Sequence, residues 1–280
     1  MKDSVTAPTA ATSAKSGDFR IWVEYFETNP ARQQRIESGW DVAAEVRLTV
    51  RQRRALVRSF QRFELGESGD GARLLKKARA AGDAVYTAAL ELLVAEEQKH
   101  SALFGLGLRR MGAPSLRAHW SDAAFTRLRR MFGLRTEIAL FLVAEAVAVE
   151  YFEALATHAP DPILRGIGER IRTDEREHLR FQIDRLRVGF AGSAVPVRAL
   201  LKVAWTVISA GAAIVLVVDH AAALRVCGRS PLSYGIRAVR RFWSCAGLAL
   251  DADGIGDGLL GPALGSAGLA DAPTDARRRR

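Results

Sequence analysis

Cysteine is almost missing from this chain: Cys227 and Cys245 are the only two among 280 residues. Two thiols cannot make a disulfide framework, and no Cys-x-x-Cys pair exists, which excludes zinc fingers and rubredoxin-type iron sites and favours a reducing compartment. The opening stretch MKDSVTAPTAATSAKSGDF lacks the apolar core of a secretory signal, so a cytoplasmic, bacterial setting is expected. No alternating apolar–polar stretch of useful length occurs, which argues against strands. The longest apolar run, Val203–Val218, has sixteen residues, short of the ~20 that a membrane span needs.

What is present is a chain of 49% hydrophobic residues and a formal charge of +10. That allows one large core with a soluble surface, alone or with an appendage. The basic residues are mostly Arg, scattered among acids along helical stretches, and four of them are the terminal Arg277–Arg280. This distribution reads as a solvated basic surface and speaks against a nucleic-acid partner.

Residues 1–30 read as a disordered or loosely packed arm, with helical patterning from about Gln34. A first long helix is expected from near Val42 to Arg79, weakened by Gly66, Gly69 and Gly71. Asp83 caps a second helix, which stops at Gly112 and Pro114. A connection of some twenty residues containing Trp120 leads to a third helix from near Thr136. Pro160 ends it, and Asp161-Pro162 opens a fourth that runs to about Phe190. Two hairpins joined by a long crossover, over 31–192, make an all-α four-helix bundle of ferritin-like layout. Residues 193–248 add an apolar helix, expected to be buried on the bundle, and a basic amphipathic one around Ile236–Trp243; 249–280 read as a disordered tail. Contact of 199–243 with a membrane surface, helped by Arg237, Arg240 and Arg241, and a true span are the alternatives to burial.

Two Glu-x-x-His motifs carry the chemistry: Glu97–His100 in AEEQKH and Glu175–His178 in TDEREH. Residues i and i+3 of a helix share a face, so each pair offers one carboxylate and one imidazole to a common ion or to a shared two-ion site. Chance alone supplies about 0.3 such motifs in a chain of this composition, so two of them do not settle the matter. The companions do. Glu145 stands alone in the apolar segment IALFLVAEAVAVEYF, thirty residues before Glu175, and Glu67 stands thirty before Glu97. Each is thus about 22 Å along its helix from a turn at the midpoint. A single offset of 78 carries Glu67, Glu97 and His100 onto Glu145, Glu175 and His178, the pseudo-two-fold repeat expected of a dinuclear site between helix pairs. Four carboxylates balance two divalent ions, and a buried Glu145 without a cation would cost several kcal/mol.

The same offset relates Glu96 to Asp174. Imidazole ligands donate their outer N–H to a carboxylate, so crossed pairs are expected: Asp174 with His100 and Glu96 with His178. Glu64 is the rival to Glu67 but maps onto Leu142; Glu150 and Glu153 lie off the Glu145 stripe. His119, His158 and His220 have no motif around them, and His220 reads as a helix-capping residue.

Residues 40–190 resemble the ferritin-like superfamily of non-haem di-iron carboxylate proteins, through FELGES, AEEQKH, VAEAVAV and TDEREH. That superfamily includes rubrerythrins, bacterioferritins and di-iron N-oxygenases. The resemblance implies two iron ions, or a Mn/Fe pair, held by Glu67, Glu97, His100, Glu145, Glu175 and His178. It also implies an oxidoreductase that uses O2 or peroxide, an external electron donor and an organic substrate. Ferroxidase or peroxide-scavenging activity is the alternative, and a non-catalytic membrane-associated protein the second. A homodimer is compatible with all three.

Overall fold

Helix boundaries in this chain are written by short polar residues and glycines. The computed structural model describes residues 18–250 and 259–263, and among these it is all-helical. The order is α1 (Arg20–Glu37), α2 (Val50–Glu67), α3 (Ala72–Ala80), α4 (Ala84–Arg110), α5 (Trp120–Arg130), α6 (Leu134–His158), α7 (Pro162–Phe190), α8 (Val195–Val226) and α9 (Pro231–Leu250). Thr49 and Gln52 form a reciprocal cap at the start of α2. Asp83 accepts from the Tyr86 N–H at the start of α4. Asp161 accepts from two N–H groups of α7, just ahead of a proline that needs no partner there.

Four of these helices make two antiparallel pairs. Arg53 meets the carbonyl of Met111 and Ser101 that of Glu64, which sets α2 against α4. Arg172 with Glu153 and Gln182 with Glu145 set α6 against α7. The pairs meet where α4 faces α7. Two apolar clusters fill the interior. One gathers Leu90 and Leu93 of α4, Leu142 of α6 and Phe181 of α7; the other gathers Phe104, Phe152 and Ile167. On both α4 and α7 the Glu-x-x-His motif falls between the two clusters, so a polar layer lies between two oily ones.

Several boundaries differ from the sequence reading. Residues 20–30 are not an arm: Trp22 and Phe26 of α1 are fully or nearly buried against α4 and α7. Their spacing continues through Asn29 and Gln33 as one helical stripe, which Pro30 inside the helix disguised. The long first helix is two, because Gly71 adopts a left-handed φ of 63° at the joint between α2 and α3; α2 also starts at Val50 rather than Val42. The crossover contains α5, none of whose residues is buried.

The apolar run belongs to a 32-residue helix, α8, that is not buried as expected. It packs on α2, α6 and α9 along one side and exposes Leu200, Val203, Val207, Ile214 and Val218 along the other. It is the one helix among the described residues that is long and apolar enough to cross a membrane, and only 17% of its most apolar stretch is buried. Two of the three arginines of α9 are engaged, since Arg237 and Arg241 both pair with Glu150 of α6. In the expected tail, 259–263 packs on α7 through Leu260 and Gly261 N–H groups donated to Asp184. The remaining parts of the expected arm and tail, 1–17, 251–258 and 264–280, lie outside the described residues.

Candidate metal centre

At the polar layer, helix periodicity turns Glu97 and His100 of α4 toward Glu175 and His178 of α7. One ligand atom from each of the four residues lies within 4.8 Å of the others, a group that could hold a metal ion. Three of the four are buried, and Glu97, with 17% of its side chain exposed, forms the edge of the group. The imidazole rings are inclined by 29° with centroids 5.5 Å apart, both Nδ1 atoms facing the carboxylates.

Each carboxylate reaches both rings. Glu97 places Oε1 3.0 Å from His178 Nδ1 and Oε2 3.6 Å from His100 Nδ1. Glu175 places Oε1 3.3 Å from His100 Nδ1 and Oε2 4.0 Å from His178 Nδ1. Yet both Nδ1 atoms, with Glu175 Oε2 and Glu145 Oε2, have no hydrogen-bond partner among the described residues. Unsatisfied buried polar atoms are rare because each costs about 1–3 kcal/mol. Four of them in one place fit a bound cation.

The outer face of each ring is fixed by the opposite pair. His100 Nε2 lies 2.9 Å from Asp174 Oδ2, and His178 Nε2 lies 3.0 Å from Glu96 Oε2. Both acids are in turn held by α1: Asn29 donates to Glu96 (2.6 Å) and Asp174 (2.9 Å), and Gln33 donates to Glu96 (2.7 Å). The buried Arg170 pairs with Asp174 one turn away on α7, and with Glu37 at 3.2 Å. Nothing in the motif arithmetic pointed to Asn29, Gln33 or Arg170. The signal available was a polar pair, Asn29 and Gln33, one turn apart on the stripe that holds Trp22 and Phe26.

Glu67 and Glu145 stand beside the four. The Glu67 carboxyl contacts Glu97, and Glu145 accepts from Gln182 Nε2. Glu145 also feels the charges of Glu175 and Glu97, and its hydrogen bond goes to a residue seven positions beyond Glu175. Glu64 bonds to Ser115, Glu150 to α9, and Glu153 to Arg172 and Arg176, so all three rivals face elsewhere. His220 is not a cap but a buried residue of α8, with Nδ1 2.7 Å from Ser59 Oγ, which in turn bonds to Tyr151.

Charges in the layer are strongly perturbed. Burial and then the charge of Glu97 push Glu67 well above the usual carboxylate range. Burial and the charges of Glu175 and Glu97 do the same to Glu145, and burial with Glu97 raises Glu175. Burial opposes a charged His100, yet its contacts with Glu175 and Glu97 outweigh that and push the ring up to about 10. Without a cation the layer therefore favours protons on Glu67 and Glu145, and a bound cation would take the place of those protons. A site of this kind attracts cations.

Comparison with family models, with curated proteins and with solved structures returns no match for this chain. The reading of the site therefore rests on its own geometry.

Proposed function

We propose that this chain is a ferritin-like di-metal carboxylate protein, with an oxidoreductase centre built on α2, α4, α6 and α7. The observation that carries this reading is that Glu97 and Glu175 each extend one oxygen toward His100 and the other toward His178. A carboxylate shared in that way suits two ions better than one. His100, His178, Glu97 and Glu175 would hold the ions, and Glu67 and Glu145 would close the set from α2 and α6.

Carboxylates mixed with imidazoles and no thiolate suit iron or manganese. Bound there, a pair of iron ions, or a Mn/Fe pair, would supply the redox chemistry by which O2 or peroxide oxidises an organic molecule, with an external donor returning electrons. The protein's own contribution is orientation. Asp174 and Glu96 accept the outer imidazole protons and fix the Nδ1 atoms toward the centre, while Asn29 and Gln33 hold those acids. Gln182 holds Glu145. The apolar clusters on both sides limit water at the layer.

An organic substrate is favoured over pure iron handling because a cavity of about 520 Å³, lined largely by apolar side chains, ends at Glu67, Glu97, Glu145 and Glu175. Sites for small molecules span roughly 300–1,000 Å³. Anaerobic loading of the full chain with Fe(II), followed by O2 or peroxide, tests the reading: new near-ultraviolet absorption at about two oxidised irons per chain is expected. An unchanged spectrum after loading would sink it.

A second observation concerns location. The exposed apolar stripe of α8 continues over Leu232, Ile236 and Trp243 of α9, and Lys202 Nζ lies 4.5 Å from the Trp243 ring centre. Apolar side chains with a tryptophan and cations at the margin are the composition of a membrane-surface contact. The opposite side of α8 is packed on the bundle, so the contact proposed is along the surface. Sedimentation with vesicles that survives high salt, and is lost in Val207→Asp, would support it; a protein left in the supernatant would not.

A further inference from the structure

The same cavity runs outward from the four carboxylates, bounded by α2, α4 and α6, to α5 and α8. Its middle is lined by Phe63, Leu93, Phe141, Ala212 and Leu216, none of which offers a hydrogen bond. Several residues that line it are also exposed, among them Gly69, Trp120, Leu128 and Gly211, so the cavity opens to the outside between the α2–α3 joint, α5 and α8. Added carbon at Gly69 or Gly211 would meet nothing within 4 Å. Gly211 also lies in the middle of the exposed apolar stripe of α8, between Val207 and Ile214. The helix α5 lies over this opening with no buried residue of its own, joined to α6 by Arg129–Glu137.

The two arginines that line the cavity each face a carboxylate. Arg62 bonds to the Asp219 carbonyl and to His119, and its guanidinium lies 3.8 Å from the Asp219 carboxylate. Arg129 pairs with Glu137 at 3.0 Å and covers the Phe141 ring. Burial raises Asp122 above its ordinary value, against the opposing charges of Arg129 and Arg130. What remains are the four carboxylates at the inner end. Among the described residues that line the cavity, no cation lacks a carboxylate partner, so a ligand's acid group would enter the apolar walls without one.

We infer that this cavity binds one uncharged lipophilic molecule, a long-chain alcohol, aldehyde or hydrocarbon, admitted between α5 and α8 with one end directed at the carboxylate layer. That this molecule is also the substrate rests on the metal-centre reading above; that the cavity holds it does not. Selectivity follows from the lining. A neutral chain replaces water against apolar walls, whereas a charged headgroup carried into the same walls would lose its hydration without a partner. The continuity of the opening with the apolar stripe of α8 gives such a poorly soluble molecule a route that avoids bulk water.

The test uses the purified full chain and the neutral dye Nile red, with 1-dodecanol, dodecanoate and dodecyltrimethylammonium as competitors below their aggregation limits. Saturable binding of one dye per chain is expected, displaced by 1-dodecanol at least tenfold more effectively than by either charged analogue. Gly211→Trp, which fills the opening, should weaken dye binding at least tenfold, and Gly211→Ala should leave it within about twofold. Dye held loosely on the outer face of α8 would do the reverse, since Gly211→Trp enlarges that face. Dye binding that is unchanged or stronger in Gly211→Trp, or displaced equally by dodecanoate, overturns the proposal. Metal content measured on the same samples separates the two readings: dye binding without metal removes only the substrate role, and metal without dye binding removes only the cavity assignment.

Discussion

His100 Nε2 lies 2.9 Å from Asp174 Oδ2, on the other helix of the site, and His178 Nε2 makes the mirror contact with Glu96 at 3.0 Å. The crossing has a mechanical consequence. Each ring is fixed by a helix other than its own, so α4 and α7 cannot shift along one another without breaking both contacts. Because α1 holds the two acids through Asn29 and Gln33, the centre is braced from three helices.

Removing one outer acid should therefore weaken metal binding without emptying the bundle of structure. Glu96→Gln is expected to lower metal affinity by about 10–100-fold, with helicity unchanged. Asn29→Leu, which removes the donor shared by Glu96 and Asp174, should fall in the same direction with a smaller effect. Calorimetric titration with Fe(II) or Mn(II) under anaerobic conditions measures both. Equal affinity in Glu96→Gln and the parent chain would show that the outer contacts do not position the rings.

Much of this centre could be read from residue numbers, and the reason is geometric. A helix repeats its face every three to four residues, so Glu97 pairs with His100 and Glu175 with His178, and the offset of 78 pairs Glu96 with Asp174 in the sequence alone. Lateral register was harder. Equal distances from Pro160 predict Glu145 beside Glu175, and they give no sign of its hydrogen bond to Gln182, seven residues further along α7. The support from α1 is hidden in the sequence because Pro30 and the polar stretch around it look like a linker, and only burial of Trp22 and Phe26 against other helices makes it ordered. Exposure of α8 could not be read at all. An apolar run has the same composition whether it faces a core or a lipid surface.

The joint between α2 and α3 gives a sharp contrast. Gly71 has φ 63°, and a Cβ there would approach the Val94 side chain to 2.8 Å. Gly71→Ala should destabilise the fold by at least ~2 kcal/mol, from left-handed backbone strain and overpacking together. Gly69→Ala, two residues away with nothing within 4 Å, should change stability by less than ~0.5 kcal/mol. Thermal unfolding of the two variants side by side checks the difference.

His220 makes acid stability testable. Burial, then the charges of Arg62 and His119, hold its imidazole down to about 3. The unfolded chain takes up that proton near pH 6.5, so the unfolded state binds more protons between those values. Stability from this group is complete above about pH 6.5 and is lost as pH falls toward 3, by up to roughly 2–3 kcal/mol over two pH units. His220→Phe removes the titration while keeping the stacking position against Phe63. Its stability, measured relative to the parent chain, should therefore improve as pH is lowered from 7 to 4.5; a constant difference would contradict the assignment.

The two thiols should be inert in the folded protein. Cys227 and Cys245 are buried, and burial pushes both up to about 12. A disulfide-exchange reagent at pH 8 should find almost no reactive thiol in the native chain and two after denaturation. Rapid reaction under native conditions would mean that α8 and α9 open.

The central claim is that Glu97, His100, Glu175 and His178, flanked by Glu67 and Glu145, hold two ions together. Elemental analysis of the full chain after anaerobic loading with Fe(II) and removal of free metal tests this most directly, with His178→Ala alongside. Close to two irons per chain are expected in the parent and no more than one in the variant. A parent chain that retains no iron or manganese, or a His178→Ala variant that retains the same amount as the parent, would contradict the account.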